Sequence, residues 1–260
     1  MPDHLGLAPT ESRFAIITGN PERVPVISSH FQNSRELGRD RNFLCHEGSL
    51  NNDTVLIVSS GIGAPSTAIV VEELIELGVT TIVRIGTCGA LQPEIKVGDL
   101  VISSACVREE GTTIQYVDSV FPAIPDHVVL HELIASTASR AKRFHVGITH
   151  CKDAYYLEKP AKQLNPERAG QRWEQWRRAG VLVTEMESSA LFVLGSLRQI
   201  RTGSLLINVG KITDPTLFNE SLETAIEIVR TVFLALLERP LVTSIVANQI
   251  EDESYLASKE

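Results

Sequence analysis

Apolar runs rich in β-branched residues recur along the chain at 14–18, 55–59, 80–85, 100–104, 145–149, 181–184 and 204–209, and each reads as a buried strand. Stretches of helical spacing lie between them. Leu222, Ala225, Ile226, Val229, Val232, Phe233, Leu236 and Leu237 mark one face of a late helix. Residues 125–143 form a second helix candidate. Strands alternating with helices predict an α/β class, with a mostly parallel or mixed sheet covered by helices.

The chain has 260 residues, enough for one large α/β domain with a sizeable core. No Pro/Ser-rich linker, low-complexity tract or internal repeat divides it. The expectation is one domain over 1–240, followed by an acidic, loosely held extension over 241–260 that contains Glu251-Asp252-Glu253. The formal net charge of −8, without a basic stripe, argues against nucleic acid as a partner. No apolar run approaches the ~20 residues of a membrane span, and Met1-Pro2-Asp3-His4 has no signal-peptide pattern. Cys45, Cys88, Cys106 and Cys151 show no close pairs, which speaks against disulfides or zinc and fits a reducing cytoplasm.

Chemistry concentrates where strands end. In Val83-Arg84-Ile85-Gly86-Thr87-Cys88-Gly89-Ala90, an arginine closes an apolar strand and small residues follow. A guanidinium there must meet an anion, because an unpaired buried charge is very costly. Small residues let a ligand approach the backbone, and open α/β sheets bind ligands at the carboxyl ends of their strands. The alternative is an arginine paired with a nearby carboxylate. Two further strands favour the anion site. The first runs into Gly19-Asn20-Pro21-Glu22-Arg23, a tight turn with Arg23 just inside a helix. The other runs into Ser60-Gly61-Ile62-Gly63-Ala64-Pro65-Ser66-Thr67, a Gly-rich turn opening a helix. Helix N-termini offer free N–H groups and a positive dipole end, which suits phosphate. Ser66 stands at the third glycine position of a dinucleotide fingerprint, and the Gly-Lys-Ser/Thr end of an ATP-binding loop is missing.

With these residues in view, the sequence resembles the nucleoside phosphorylase family, the uridine phosphorylase branch most closely, over roughly 4–237. The strongest stretch runs from Val58 through Thr67 and Glu72-Glu73-Leu74 to Arg84 through Pro93, closing with Val97-Gly98-Asp99. Gly19-Asn20-Pro21-Glu22-Arg23 looks like the family's Gly-Asp-Pro-x-Arg phosphate turn. Glu185-Met186-Glu187-Ser188 looks like its ribose-binding Glu-Met-Glu motif. The resemblance implies a single-domain, three-layer α/β sandwich around a twisted mixed sheet. It implies a homo-oligomer, a dimer or a trimer of dimers, with sites at the dimer interface.

By this resemblance Gly19, Arg23, Arg84 and Thr87 match phosphate contacts, and Arg41 looks like the arginine that a neighbouring subunit lends to the phosphate. His4 looks like the histidine reaching the ribose across the interface. Met186 and Glu187 match sugar contacts, and Tyr155 matches the aromatic against base and sugar. Arg23, Arg84 and Glu187 carry the catalytic expectation. No cofactor or metal is expected, and phosphate enters as co-substrate. The family's monovalent-cation site looks altered, since Asn42 stands where a Glu is usual.

Base recognition departs from the pattern. The uracil-reading Gln-x-Arg pair falls on Lys159 and Ala161 in an ungapped continuation, with Gln163 or Arg168 as shifted alternatives. The loop that carries a purine-protonating Asp in purine enzymes reads Asn208-Val209-Gly210-Lys211-Ile212-Thr213-Asp214, with Lys211 nearest the aligned position. Lys211 is therefore the charged candidate beside the base. The expected reaction is attack of phosphate on the anomeric carbon of a nucleoside, uridine or a related pyrimidine nucleoside foremost. The rivals are a purine nucleoside phosphorylase, a nucleosidase using water, and a nucleoside-binding protein without turnover.

Overall fold

The computed structural model describes residues 3–8, 10–141, 143–159, 161, 163–210, 215–237 and 239. The elements, in chain order, are β1 (Phe14–Thr18), α1 (Arg23–Ser28), β2 (Gln32–Asp40), β3 (Phe43–Leu50), β4 (Asp53–Ser59), α2 (Ala64–Glu76), β5 (Thr81–Ala90), β6 (Leu100–Glu109), α3 (His127–Arg140), β7 (Phe144–Lys152), α4 (Pro166–Arg178), β8 (Val183–Glu185), α5 (Ser188–Arg198), β9 (Arg201–Asn208) and α6 (Pro215–Leu237).

Among the described residues all nine strands join one mixed sheet, in the order β2-β3-β4-β1-β5-β8-β7-β6-β9. Strand β5 also pairs with β9, so β5, β8, β7, β6 and β9 close into a ring from which β1, β4, β3 and β2 extend. The extension is parallel at β5-β1-β4 and antiparallel at β4-β3-β2.

Alternation along the central strands builds two cores, because successive side chains point to opposite faces. From β1, Phe14 and Ile16 join a cluster with Val24 and Ile27 of α1, Val129 and Leu133 of α3, and the apolar face of α6. Ala15 and Ile17 join the opposite cluster with α2 and α5. The result is the expected three layers. Phe14 packs on Phe233 of α6 with ring centroids 4.9 Å apart. Asp126 caps α3 by accepting from the backbone N–H of Val128 and Val129. The N-terminal segment is pinned to α2, where the Glu73 carboxylate accepts the backbone N–H of both His4 and Leu5.

Three elements differ from the sequence pattern. Strand β5 does not stop at residue 85 but runs to Ala90, because the small residues 86–90 go on pairing with β9 and then β8. Strand β2 has no apolar face to reveal it: it is an edge strand, exposed along most of its length. Helix α4 buries none of its residues fully, and only Ala169, Trp173 and Trp176 interrupt its polar sequence. Among the described residues no helix is long and apolar enough to cross a membrane. The 241–260 extension lies outside the described residues.

Candidate active site

The ends of β1 and β4 lie side by side, with Thr18 opposite Ser59. Strand β5 follows β1 only as far as the Ile17–Arg84 pair, then continues until Gly89 meets Thr184 of β8. Between the end of β1 and β8 the sheet therefore opens, and a cavity of about 950 Å³ lies there. The turn after β1 contributes Gly19, Asn20, Pro21 and Arg23. The turn after β4 contributes Gly61, Ile62 and Ser66, and β5 contributes Arg84, Thr87 and the residues up to Ala90. Lys152, Tyr155 and Glu158 form another wall, and Thr184 through Glu187 a third.

Arg84 is 2 % exposed, and it turns out to be both paired and partly unpaired. Its Nη2 lies 2.5 Å from Glu187 Oε2, and its Nε donates to Glu185 Oε2 at 3.2 Å. Its Nη1 is buried with no hydrogen-bond partner among the described residues. The guanidinium folds back over Gly86, where a Cβ would lie 2.7 Å from Arg84 Cζ and 2.8 Å from Leu206 Cδ2. Only glycine leaves that space. Arg23 is half-buried, its guanidinium 5.0 Å from the Phe218 ring centroid. Burial, and then the like charge of Arg84, lower its pKa to about 10, so it is still a cation at neutral pH.

The two carboxylates on Arg84 differ. Burial pushes Glu185 up, but Arg84, the Cys151 thiol and the backbone N–H groups of Ser188 and Glu187 outweigh it and hold the carboxyl below its ordinary range. Burial pushes Glu187 up as well. Arg84 opposes the rise and Glu185 adds to it, so the net direction is upward. Glu187 Oε1 accepts the backbone N–H of Gly63 at 2.6 Å. That amide, at the start of α2, is thus taken by a carboxylate and is not free for phosphate. Helix α1 has six residues, a short foundation for a dipole argument.

The structure brings Gly19, Arg23, Arg84, Thr87, Met186, Glu187 and Tyr155 to one cavity. Arg41 and His4 do not line it. Arg41 is exposed in the β2–β3 turn, although its neighbour Asn42 borders the cavity. His4 Nδ1 lies 2.7 Å from Glu73 Oε1, and its ring meets the edge of Phe43, two residues beyond Arg41. Lys211 and Asp214 lie outside the described residues, but Val209 and Gly210, just before them, border the cavity.

The base-edge candidates sit elsewhere. Lys159 Nζ lies 5.9 Å from the Tyr156 ring centroid, and Ala161 is exposed. Gln163 donates to the Tyr156 carbonyl at 2.8 Å, and with Arg168 it lines a second cavity of about 480 Å³ beneath α4. Sequence reasoning missed Lys152, Glu158, Thr184 and the inner carboxylate Glu185. Lys152 carried the same signal as Arg84, a cation at the end of an apolar strand.

A profile of the phosphorylase superfamily matches residues 13–239. The chain belongs to this family. A uridine phosphorylase of Treponema pallidum is 39% identical over 212 residues, covering 81% of this chain and 82% of that protein. A guanosine phosphorylase of Halorubrum lacusprofundi is 36% identical over 191 residues, covering 74% and 75%. The crystal structure of uridine phosphorylase from Vibrio fischeri ES114 superimposes with a TM-score of 0.81 at 29% identity, covering 90% of this chain and 97% of that one. The three-layer sandwich with its mixed sheet is thus the family fold.

Proposed function

We propose that this chain is a nucleoside phosphorylase: it cleaves the N-glycosidic bond of a nucleoside with inorganic phosphate and releases the free base and a pentose 1-phosphate. Uridine or a related pyrimidine nucleoside is the substrate. The observation that carries this reading is the double commitment of Arg84. One side of its guanidinium holds Glu187, while Nη1 is buried and unpaired beside a second arginine. A phosphate dianion satisfies that donor and offsets two neighbouring cations, and the planar fork suits it.

Gly19, Arg23, Arg84 and Thr87 hold the phosphate against the sugar. Its oxygen forms the new bond to C1′ as the C1′–N bond breaks and the electron pair leaves with the base. Glu187 accepts from the sugar hydroxyls, Met186 packs on the ring, and the half-exposed Tyr155 ring stacks on base and sugar. No protein nucleophile is needed, because positioning and fixed charge provide the rate gain. Uridine incubated with and without phosphate tests the reading. Uracil should appear only with phosphate, and release at the same rate in its absence would make the protein a hydrolase.

The exposed Arg41, next to Asn42 at the rim of the cavity, supports a site completed by a second copy. Arg41→Ala and Arg84→Ala variants, each weak alone, should recover part of the activity after subunit exchange. Mixed assemblies then contain some sites with both arginines. No recovery in confirmed mixed oligomers would count against sharing.

A further inference from the structure

We infer that Lys152 and Glu158 read the base, and that they read it as a lactam, a ring C=O beside a ring N–H. This rests on the nucleoside-cleaving reading and names its substrate class. Lys152 is the last residue of β7, and its side chain is 5% exposed. Its Nζ lies 2.8 Å from Glu158 Oε1 and donates to Thr184 Oγ1 at 2.8 Å. Both charged groups border the same cavity as Tyr155, which shares the short turn Tyr155–Glu158 with the carboxylate. An ion pair that buries an ammonium beneath a partly exposed carboxylate adds little stability over apolar packing, so its presence at a ligand cavity points to recognition.

The surrounding network holds the pair in place. His150 is 1% exposed, with Nε2 2.6 Å from Glu109 Oε2 and Nδ1 3.0 Å from Thr184 Oγ1. Glu109 also pairs with Arg172, and despite burial these two partners hold its carboxyl below the ordinary range. A carboxylate only accepts, so Nε2 carries a proton and donates to Glu109. Thr184 Oγ1 touches Nδ1 and accepts from Lys152, which ties the ammonium to the same network. The stacked ring of Trp176, 5.8 Å from His150, keeps the imidazole in place. An ammonium has three N–H donors: one goes to Thr184, Glu158 pairs with the charge at 2.8 Å, and the Trp173 ring centroid lies 5.9 Å away. Among the described residues Nζ makes no hydrogen bond besides the one to Thr184, and Glu158 Oε2 makes none.

One free N–H donor beside one free carboxylate oxygen matches an adjacent C=O and N–H. Uracil, thymine, hypoxanthine and guanine carry that edge. This arrangement sets the ammonium at the exocyclic position and the carboxylate at the ring nitrogen; cytosine and adenine reverse that order, so the ammonium would meet an amino group and the carboxylate a lone pair. As the glycosidic bond breaks, negative charge spreads onto the base carbonyl, where the Lys152 ammonium stabilises it. The pair stands in for the polar base contacts that Lys159 and Ala161 do not supply.

The test is kcat/KM for uridine, cytidine, inosine and adenosine with saturating phosphate, in wild type, Lys152→Met and Glu158→Gln. Wild type should favour the two lactam nucleosides by about 100-fold or more, as sites built on hydrogen bonds do. Glu158→Gln can both donate and accept, and it should narrow the uridine-to-cytidine ratio by about 10-fold, whereas mere loss of fold would lower both rates together. Calorimetric titration of the phosphate-loaded wild type with uracil and with cytosine keeps the assignment separate from turnover. Uracil should bind the more tightly. Cleavage of cytidine or adenosine as efficiently as the lactam nucleosides would overturn it. So would ratios unmoved in both variants, or equal binding of the two free bases. Absence of phosphate-dependent base release with preferential uracil binding would overturn the activity and leave the pair's role standing.

Discussion

Arg84→Ala should raise the barrier behind kcat/KM for phosphate by about 2–4 kcal/mol, a loss of roughly 30- to 900-fold, the range for losing one preorganised electrostatic contact. The side chain is buried and its Nη1 is unspent. Arg84→Lys should recover only part of the loss. It restores the charge but not the fork that spans Glu187 and the phosphate together. Removal of the arginine also leaves Glu185 and Glu187 without their shared cation, and Glu187, already displaced upward, is the one that takes a proton. Thermal unfolding followed by circular dichroism separates that structural cost from the catalytic one. An Arg84→Ala protein that is folded and keeps its phosphate KM would remove phosphate from this site.

The central strands were legible because their residues are buried on both faces, and such strands read as continuous apolar runs. Arg84 was legible for the complementary reason: a cation has no place in such a run unless a partner or a ligand waits for it. The two readings of Arg84, ion pair and anion anchor, were posed as alternatives, and the geometry shows a pair that leaves one donor free. Strand β2 and helix α4 were not legible. Each lies mostly on the surface, with Gln32–Asp40 almost wholly solvated and Pro166–Arg178 offering only Ala169, Trp173 and Trp176 among polar residues, so hydrophobic periodicity had little to report. The closure of β5 through β8, β7 and β6 to β9 depends on pairings between residues far apart in sequence, such as Cys88 with Asn208. No local pattern encodes them. Lys152 was overlooked because attention followed the family's base-reading positions, which the structure puts away from the cavity. The strand-end rule that found Arg84, applied once more along the chain, would have found it.

Glu185 and Glu187 stand two residues apart on the same arginine, and they should fail in opposite ways. Glu185 accepts from Arg84, from the Cys151 thiol and from the backbone N–H groups of Glu187 and Ser188. Its carboxyl lies below the ordinary range, so its stabilising contribution is present above the unfolded-state pKa and is lost as pH falls toward the lower folded one. Glu185→Ala should cost about 3–5 kcal/mol of folding stability, the range for removing one partner of a buried ion pair, and should blunt the acid sensitivity of unfolding. Denaturant titration at neutral and acid pH measures both. Glu187 is displaced the other way, and its task is to accept from sugar hydroxyls as a carboxylate. The acid limb of kcat/KM, which reports the free enzyme, should therefore lie above the usual carboxylate range, with activity lost as pH falls through it. Glu187→Gln should flatten that limb and lower kcat/KM by about 10²-fold, with a far smaller loss of stability than Glu185→Ala. The reverse outcome, a stable Glu185→Ala protein beside a Glu187→Gln protein that barely folds, would exchange the roles of the two carboxylates.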